Sequence, residues 1–88
     1  MDLTELRGQI DEIDDEIIKL FCRRMDIAAQ VADYKKANNL PIFMPARERE
    51  KLQDVAQKAG PEMAAYTRTL YSMLFELSRS YQAKRNGG

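Results

Sequence analysis

Leu3, Leu6, Ile10, Ile13, Ile17 and Leu20, then Ile27, Val31 and Tyr34, follow one another in steps of three and four, broken once between Leu20 and Ile27. That rhythm lays apolar side chains along one face of an α-helix. Asp2 is placed to cap the start, with Glu5 three residues on as its reciprocal partner. Nothing interrupts the pattern before the Asn38-Asn39-Leu40-Pro41 cluster. The predicted helix has about 35 residues and a length of ~52 Å. A compact chain of this size has a radius of gyration near 12 Å, so a diameter of roughly 30 Å. A helix that outruns its own domain needs a further surface to cover it. The simplest supply is a second copy of the chain, which predicts a homodimer with an extensive helical interface.

The remainder also reads as helical. The loop "NNLPIFMP" carries Pro41 and Pro45, and Pro45 suits the first position of a second helix, where a missing N–H costs nothing. Leu52, Val55, Ala56 and Ala59 share one face of that helix, which ends at Gly60-Pro61. A third helix is predicted from about Glu62 to Lys84, with Met63, Tyr66, Leu70, Met73, Leu74, Leu77 and Tyr81 as its apolar stripe. The tail "KRNGG" has little to bury. The expected domain therefore spans residues 1–85, with 86–88 a frayed tail or the start of a linker. No strand-like alternation or internal repeat is present. The fold class is all-α: one long and two shorter helices, forming an intertwined helical homodimer.

Charge and composition narrow the chemistry. Lys+Arg and Asp+Glu both number 14, so no net charge draws the chain to nucleic acid or an anionic membrane. No apolar run approaches the ~18 residues of a membrane span, and "MDLTELRGQI" is no signal peptide. Cys22 is the lone cysteine and has nothing to pair with in the chain, which fits a reducing cytoplasm. Beside Phe21 in an apolar stretch, it reads as a packed structural thiol. The chain has no histidine, which excludes His/Cys metal sites and Ser-His or Cys-His nucleophiles. Its glycines, Gly8, Gly60, Gly87 and Gly88, form no phosphate-binding loop. No metal and no cofactor is expected. An enzyme built this way works mainly with fixed charges and hydrogen bonds.

The break in the first helix is where the charges become informative. Continuing the rhythm from Ile17 and Leu20 leads to position 24, which holds Arg24. Lys35 lies eleven residues further on, within about 20° of Arg24 around the helix and ~16 Å along it. Ala28 and Val31 lie between them, the first small enough to leave space. A small anion between the two cations could meet both side chains; alternatively both snorkel to solvent from the edge of the stripe. Arg7 lies ~25 Å from Arg24 and cannot meet the same small molecule within one chain, although an antiparallel partner could bring it there. By itself it reads as a surface arginine. Arg47 and Glu48 fall in the first turn of the second helix, where Glu48 also favours the helix dipole. Ser78 and Gln82 share a face of the third helix, as ordinary surface polarity also would.

The ordered set "LRGQIDEIDDEIIKLFCRRMDIAAQVADYKK…PIFMPARERE" and "LFELSRSYQ" resembles the all-α class of chorismate mutases over residues 3 to 82, nearly the whole chain. The markers are the early Leu-Arg, an Arg followed eleven residues later by Lys, Arg-Glu after the proline loop, and Ser-x-x-x-Gln near the end. The likeness is greatest to the N-terminal mutase portion of bifunctional mutase–prephenate dehydratase proteins, so fusion to such a domain is one expectation. The resemblance implies an intertwined helical dimer whose site takes one arginine from the opposite protomer. It implies conversion of chorismate to prephenate in phenylalanine and tyrosine biosynthesis, a pericyclic step with no proton transfer and no covalent intermediate.

By the same resemblance, Arg24 and the other protomer's Arg7 would clamp the substrate carboxylates. Lys35 and Gln82 would donate to the ether oxygen, where negative charge grows in the transition state. Glu48 would take the ring hydroxyl, with Arg47 and Ser78 supporting orientation and Arg49 and Glu50 left exposed. Met44 stands near the hydroxyl where some family members carry an aspartate, a departure that bears on substrate affinity. Two other readings stay open: a non-catalytic helical dimerisation or regulatory module, and a related isochorismate-pyruvate lyase.

Overall fold

The computed structural model describes residues 1–87 and is all-helical: α1 (Leu3–Ala37), α2 (Pro45–Ala59) and α3 (Ala64–Arg85). Gly88, the last residue of the expected tail, lies outside the described residues. Among these residues no helix is long and apolar enough to cross a membrane. Each helix boundary has a local cause. The Asp2 carboxylate accepts a 2.8 Å hydrogen bond from the Glu5 N–H, so Glu5 contributes its backbone amide to the cap. At the far end, Asn39 takes φ 56°, the Asn39 N–H bonds Lys36 O and the Leu40 N–H bonds Lys35 O. This is a Schellman turn with asparagine in the left-handed position.

Pro45 opens α2 as expected, and Gly60 closes it with φ 85°, a conformation that favours glycine. Residues 61–63 form a turn, so α3 begins two residues later than the sequence predicts. Gly87, at φ 84°, turns the chain off the end of α3 with its N–H on Lys84 O. Arg85 forks onto Asp33 at 3.1 and 3.0 Å, fastening the last turn of α3 to α1. The Arg85 hydrogen bond, helped by the charges of Arg85 and Lys36, holds the Asp33 carboxyl below its usual range against the opposing loss of hydration.

α3 is the hub. It packs against both α1 and α2, which do not pack on each other directly. On α1 the buried residues are Ala28, Ala29 and Ala32, small side chains that let α3 approach closely. They meet the Phe75, Ser78 and Gln82 face of α3, while α2 contributes Val55 and Ala56. Only the C-terminal third of α1 is covered this way. The long helix sets the dimensions: the chain measures 54 × 26 × 16 Å, and its 16.0 Å radius of gyration exceeds that of a compact chain of its length.

The stripe from Leu3 to Leu20 stays open, with Ile13 and Ile17 each 57% exposed. On α3, Met63, Tyr66, Leu70, Met73 and Leu77 are exposed too. The apolar stripe expected of α3 is therefore mostly outside the chain's own core, which uses the neighbouring Phe75-Ser78-Gln82 face. Cys22, expected to be packed, is exposed in the single chain.

Ala32 is fully buried at the α1–α3 contact. Ala32→Leu is expected to destabilise the protein by about 1–3 kcal/mol through overpacking. Urea unfolding at a fixed protein concentration measures the loss.

Candidate active site

Because α1 and α2 stand apart and α3 bridges them, a cavity of about 470 Å³ is left between the three helices and the loop before α2. Its floor follows from the α1 register. Arg24, Ala28, Val31 and Lys35 line one wall together, so the two cations read from the periodicity do share a pocket. From α3 come Phe75, Ser78, Arg79 and Gln82, which stand at i, i+3, i+4 and i+7 and therefore share a helix face. Met44, Arg47, Glu48 and Lys51 enter from the start of α2.

Arg24 is fixed from several sides. Its Nη1 donates to Ser78 Oγ at 2.8 Å, and its guanidinium lies 6.0 Å from the Tyr71 ring centre and 5.9 Å from that of Phe75. A hydrogen bond of this charged kind contributes about 1.5–3 kcal/mol, and the aromatic faces add cation–π attraction. Ser78 thus orients Arg24. Lys35 Nζ donates to the Ile42 carbonyl at 2.8 Å and reaches Gln82 Oε1 at 3.5 Å. The first bond ties the loop back onto α1. The second takes the oxygen of the Gln82 amide, which leaves its NH₂ as the group free to turn elsewhere.

Loss of hydration pushes the Lys35 pKa below its ordinary 10.5, while the charge of Glu48 pulls the other way. Glu48 itself is held by Arg79, whose Nη1 reaches Oε1 at 2.5 Å and Oε2 at 2.6 Å. The Arg79 guanidinium lies 4.9 Å from the centre of the Phe43 ring. Of the adjacent pair, Arg49 and Glu50 are exposed and do not line the cavity.

Seven of the eight candidate residues, Arg24, Lys35, Met44, Arg47, Glu48, Ser78 and Gln82, therefore border one cavity. Arg7 does not; it is exposed on the uncovered part of α1. Arg79 was not among the candidates. The signal for it was present, since it stands four residues after Phe75 and three before Gln82. Among the described residues lining the cavity, five side chains are basic and Glu48 alone is acidic. Lys51 is partly offset by Asp54 at 3.1 Å. This wall suits a small anion carrying more than one negative charge, with a hydroxyl or similar donor near Glu48.

Comparison with known proteins shows the family of the chain. The family described as chorismate mutase type II matches residues 6–83. The chain belongs to that family. A T-protein from Haemophilus influenzae is 43% identical over 61 residues, covering 66% of this chain and 16% of the relative. A bifunctional chorismate mutase/prephenate dehydratase from Aquifex aeolicus is 43% identical over 54 residues, covering 61% of this chain and 15% of the relative. A chorismate mutase from Methanocaldococcus jannaschii is 45% identical over 47 residues, covering 53% of this chain and 48% of the relative. The chain spans about a sixth of the length of the first two relatives and about half that of the third. No solved structure gives a significant match to the chain.

The lowered Lys35 pKa generates a prediction for any reaction that uses its ammonium as a donor. Raising the pH through the folded-state pKa removes the charge, so the rate falls on an alkaline limb whose midpoint lies below 10.5. Lys35→Arg should lose that limb, as a pH–rate profile of the two proteins would show.

Proposed function

We propose that this protein is a homodimeric chorismate mutase that rearranges chorismate to prephenate. The observation that carries the proposal is the convergence of Arg24, Lys35, Glu48 and Gln82 on one cavity, in a chain of the chorismate mutase type II family. The reaction needs no proton transfer, so fixed charges and hydrogen bonds suffice. Arg24, pinned by Ser78, binds one substrate carboxylate. Lys35 and the NH₂ of Gln82 donate to the ether oxygen as the C–O bond breaks and negative charge grows there. Such pre-aimed donors stabilise the transition state more than the ground state. Glu48 accepts from the ring hydroxyl, Arg47 supports orientation at the mouth of the cavity, and Met44 offers an apolar contact. Confinement also favours the folded conformer from which the two ends of the substrate can join.

The second copy enters through the surfaces that one chain leaves open. The exposed stripes leave large apolar side chains uncovered in line, from Leu3 to Leu20 on α1 and from Met63 to Leu77 on α3, as an interaction surface does. Packing α1 antiparallel against its counterpart would carry Arg7 to the partner's cavity, where it would bind the other carboxylate. The name of the Aquifex relative suggests an attached dehydratase domain. Fusion of that kind is a further part of the proposal, checked by reading the gene beyond codon 88.

Loss of chorismate's ultraviolet absorbance, with prephenate identified as product, tests the reaction. Lys35→Ala should lower turnover by about 10²–10³-fold, the usual loss of one oxyanion donor. An unchanged rate would remove Lys35 from its role. A mixing experiment tests the shared site. Arg7→Ala and Lys35→Ala proteins should each be nearly inactive, but equal mixing after subunit exchange should restore about a quarter of wild-type sites, since half the dimers then hold one intact site. No recovery would contradict Arg7 acting across the interface.

A further inference from the structure

The geometry points to Arg79 as the positioning residue that holds Glu48 for the substrate, with Phe43 supporting its guanidinium from the loop before α2. This inference rests on the mutase reading above. Glu48 is the one acidic side chain among the described residues around the cavity, and basic groups surround it. Left to itself, its carboxylate could swing toward any of them. Arg79 removes that freedom by contacting both oxygens through a single nitrogen, Nη1. Each oxygen keeps a further lone pair, so Glu48 can still accept from a hydroxyl while held.

Arg79 is itself constrained. It rises from α3 beside Ser78, and its guanidinium lies over the Phe43 ring. Glu48 and Arg79 are both partly buried, with side chains 22% and 33% exposed. The pair therefore fixes three parts at one point: the first turn of α2, the middle of α3 and the loop 38–44. This matters because Met44, at the N-cap of α2, makes no side-chain capping bond. The first turn of α2 is therefore oriented from across the cavity, through Glu48.

If Arg79 acts through Glu48, losing it should weaken substrate binding and do little more once Glu48 is gone. The test is a double-mutant cycle on Arg79→Ala and Glu48→Gln. It reads kcat and KM for chorismate separately, and the Kd of prephenate by calorimetry, so that a slow variant still gives a result. Arg79→Ala should raise KM and Kd about tenfold with little change in kcat, and in the Glu48→Gln background its effect should shrink below about twofold. Arg79→Lys should recover most of the loss, because one nitrogen makes both contacts.

Equal losses in the two backgrounds would overturn the inference, placing Arg79 on the substrate or in the fold. A fall in kcat with binding unchanged would overturn it too, as would failure of the lysine variant to recover binding while it folds normally. Wild-type protein that neither consumes chorismate nor binds prephenate would overturn the mutase reading, and this inference with it. Active wild type with an additive cycle overturns the Arg79 role alone.

Discussion

α1 is too long for the chain that contains it, and the rest of the structure follows from how that length is covered. α3 buries only its C-terminal third, where three alanines admit close packing. Covering that third and no more divides the molecule into a packed end that holds a cavity and an open end that carries an unpaired apolar stripe. The length is robust because its ends are fixed by Asp2 at one side and by the Asn39 turn at the other. The same Asn39 turn brings Ile42 to the Lys35 ammonium. A single helix terminus thereby sets both the extent of α1 and one edge of the pocket.

Electrostatics then decide what the pocket can hold. The cations do not drift in solvent; Arg24 is held by Ser78 and two rings, Lys35 by Ile42 and Gln82, and Arg79 by Glu48 and Phe43. Such groups have lost much of their freedom before any ligand arrives, so an anion does not have to order them. The cost of partial desolvation is visible in the lowered Lys35 pKa. On the proposed reading, a substrate with two carboxylates restores that lost solvation, and the ether oxygen gains its donors only as charge develops.

Much of the fold was legible because its punctuation is chemical. Asp2, Pro45 and Gly60 mark helix ends for stated reasons, and the structure places boundaries at all three. The pairing of Arg24 with Lys35 was legible as well, since an eleven-residue spacing brings any two side chains onto one helical face. The buried side of α3 was not. Hydropathy finds the more apolar stripe, Met63 to Leu77, but cannot tell which stripe meets the chain's own helices. The core face of α3 carries Ser78 and Gln82, polar residues that pattern reading assigns to solvent. Arg79 escaped for the same reason: beside Ser78 and Ser80 it looks like surface charge, and its partner Glu48 is 31 residues away. Cys22 shows the converse error, an apolar neighbourhood in sequence that remains exposed in the single chain.

Sedimentation equilibrium at micromolar concentration tests most directly whether the open end of α1 belongs to a second copy. A homodimer gives a species of about twice the 10.2 kDa chain mass, the expected result. A stable monomer of 10.2 kDa at that concentration would contradict it. Arg7 would then have no cavity to reach, and the exposed stripes of α1 and α3 would need another explanation.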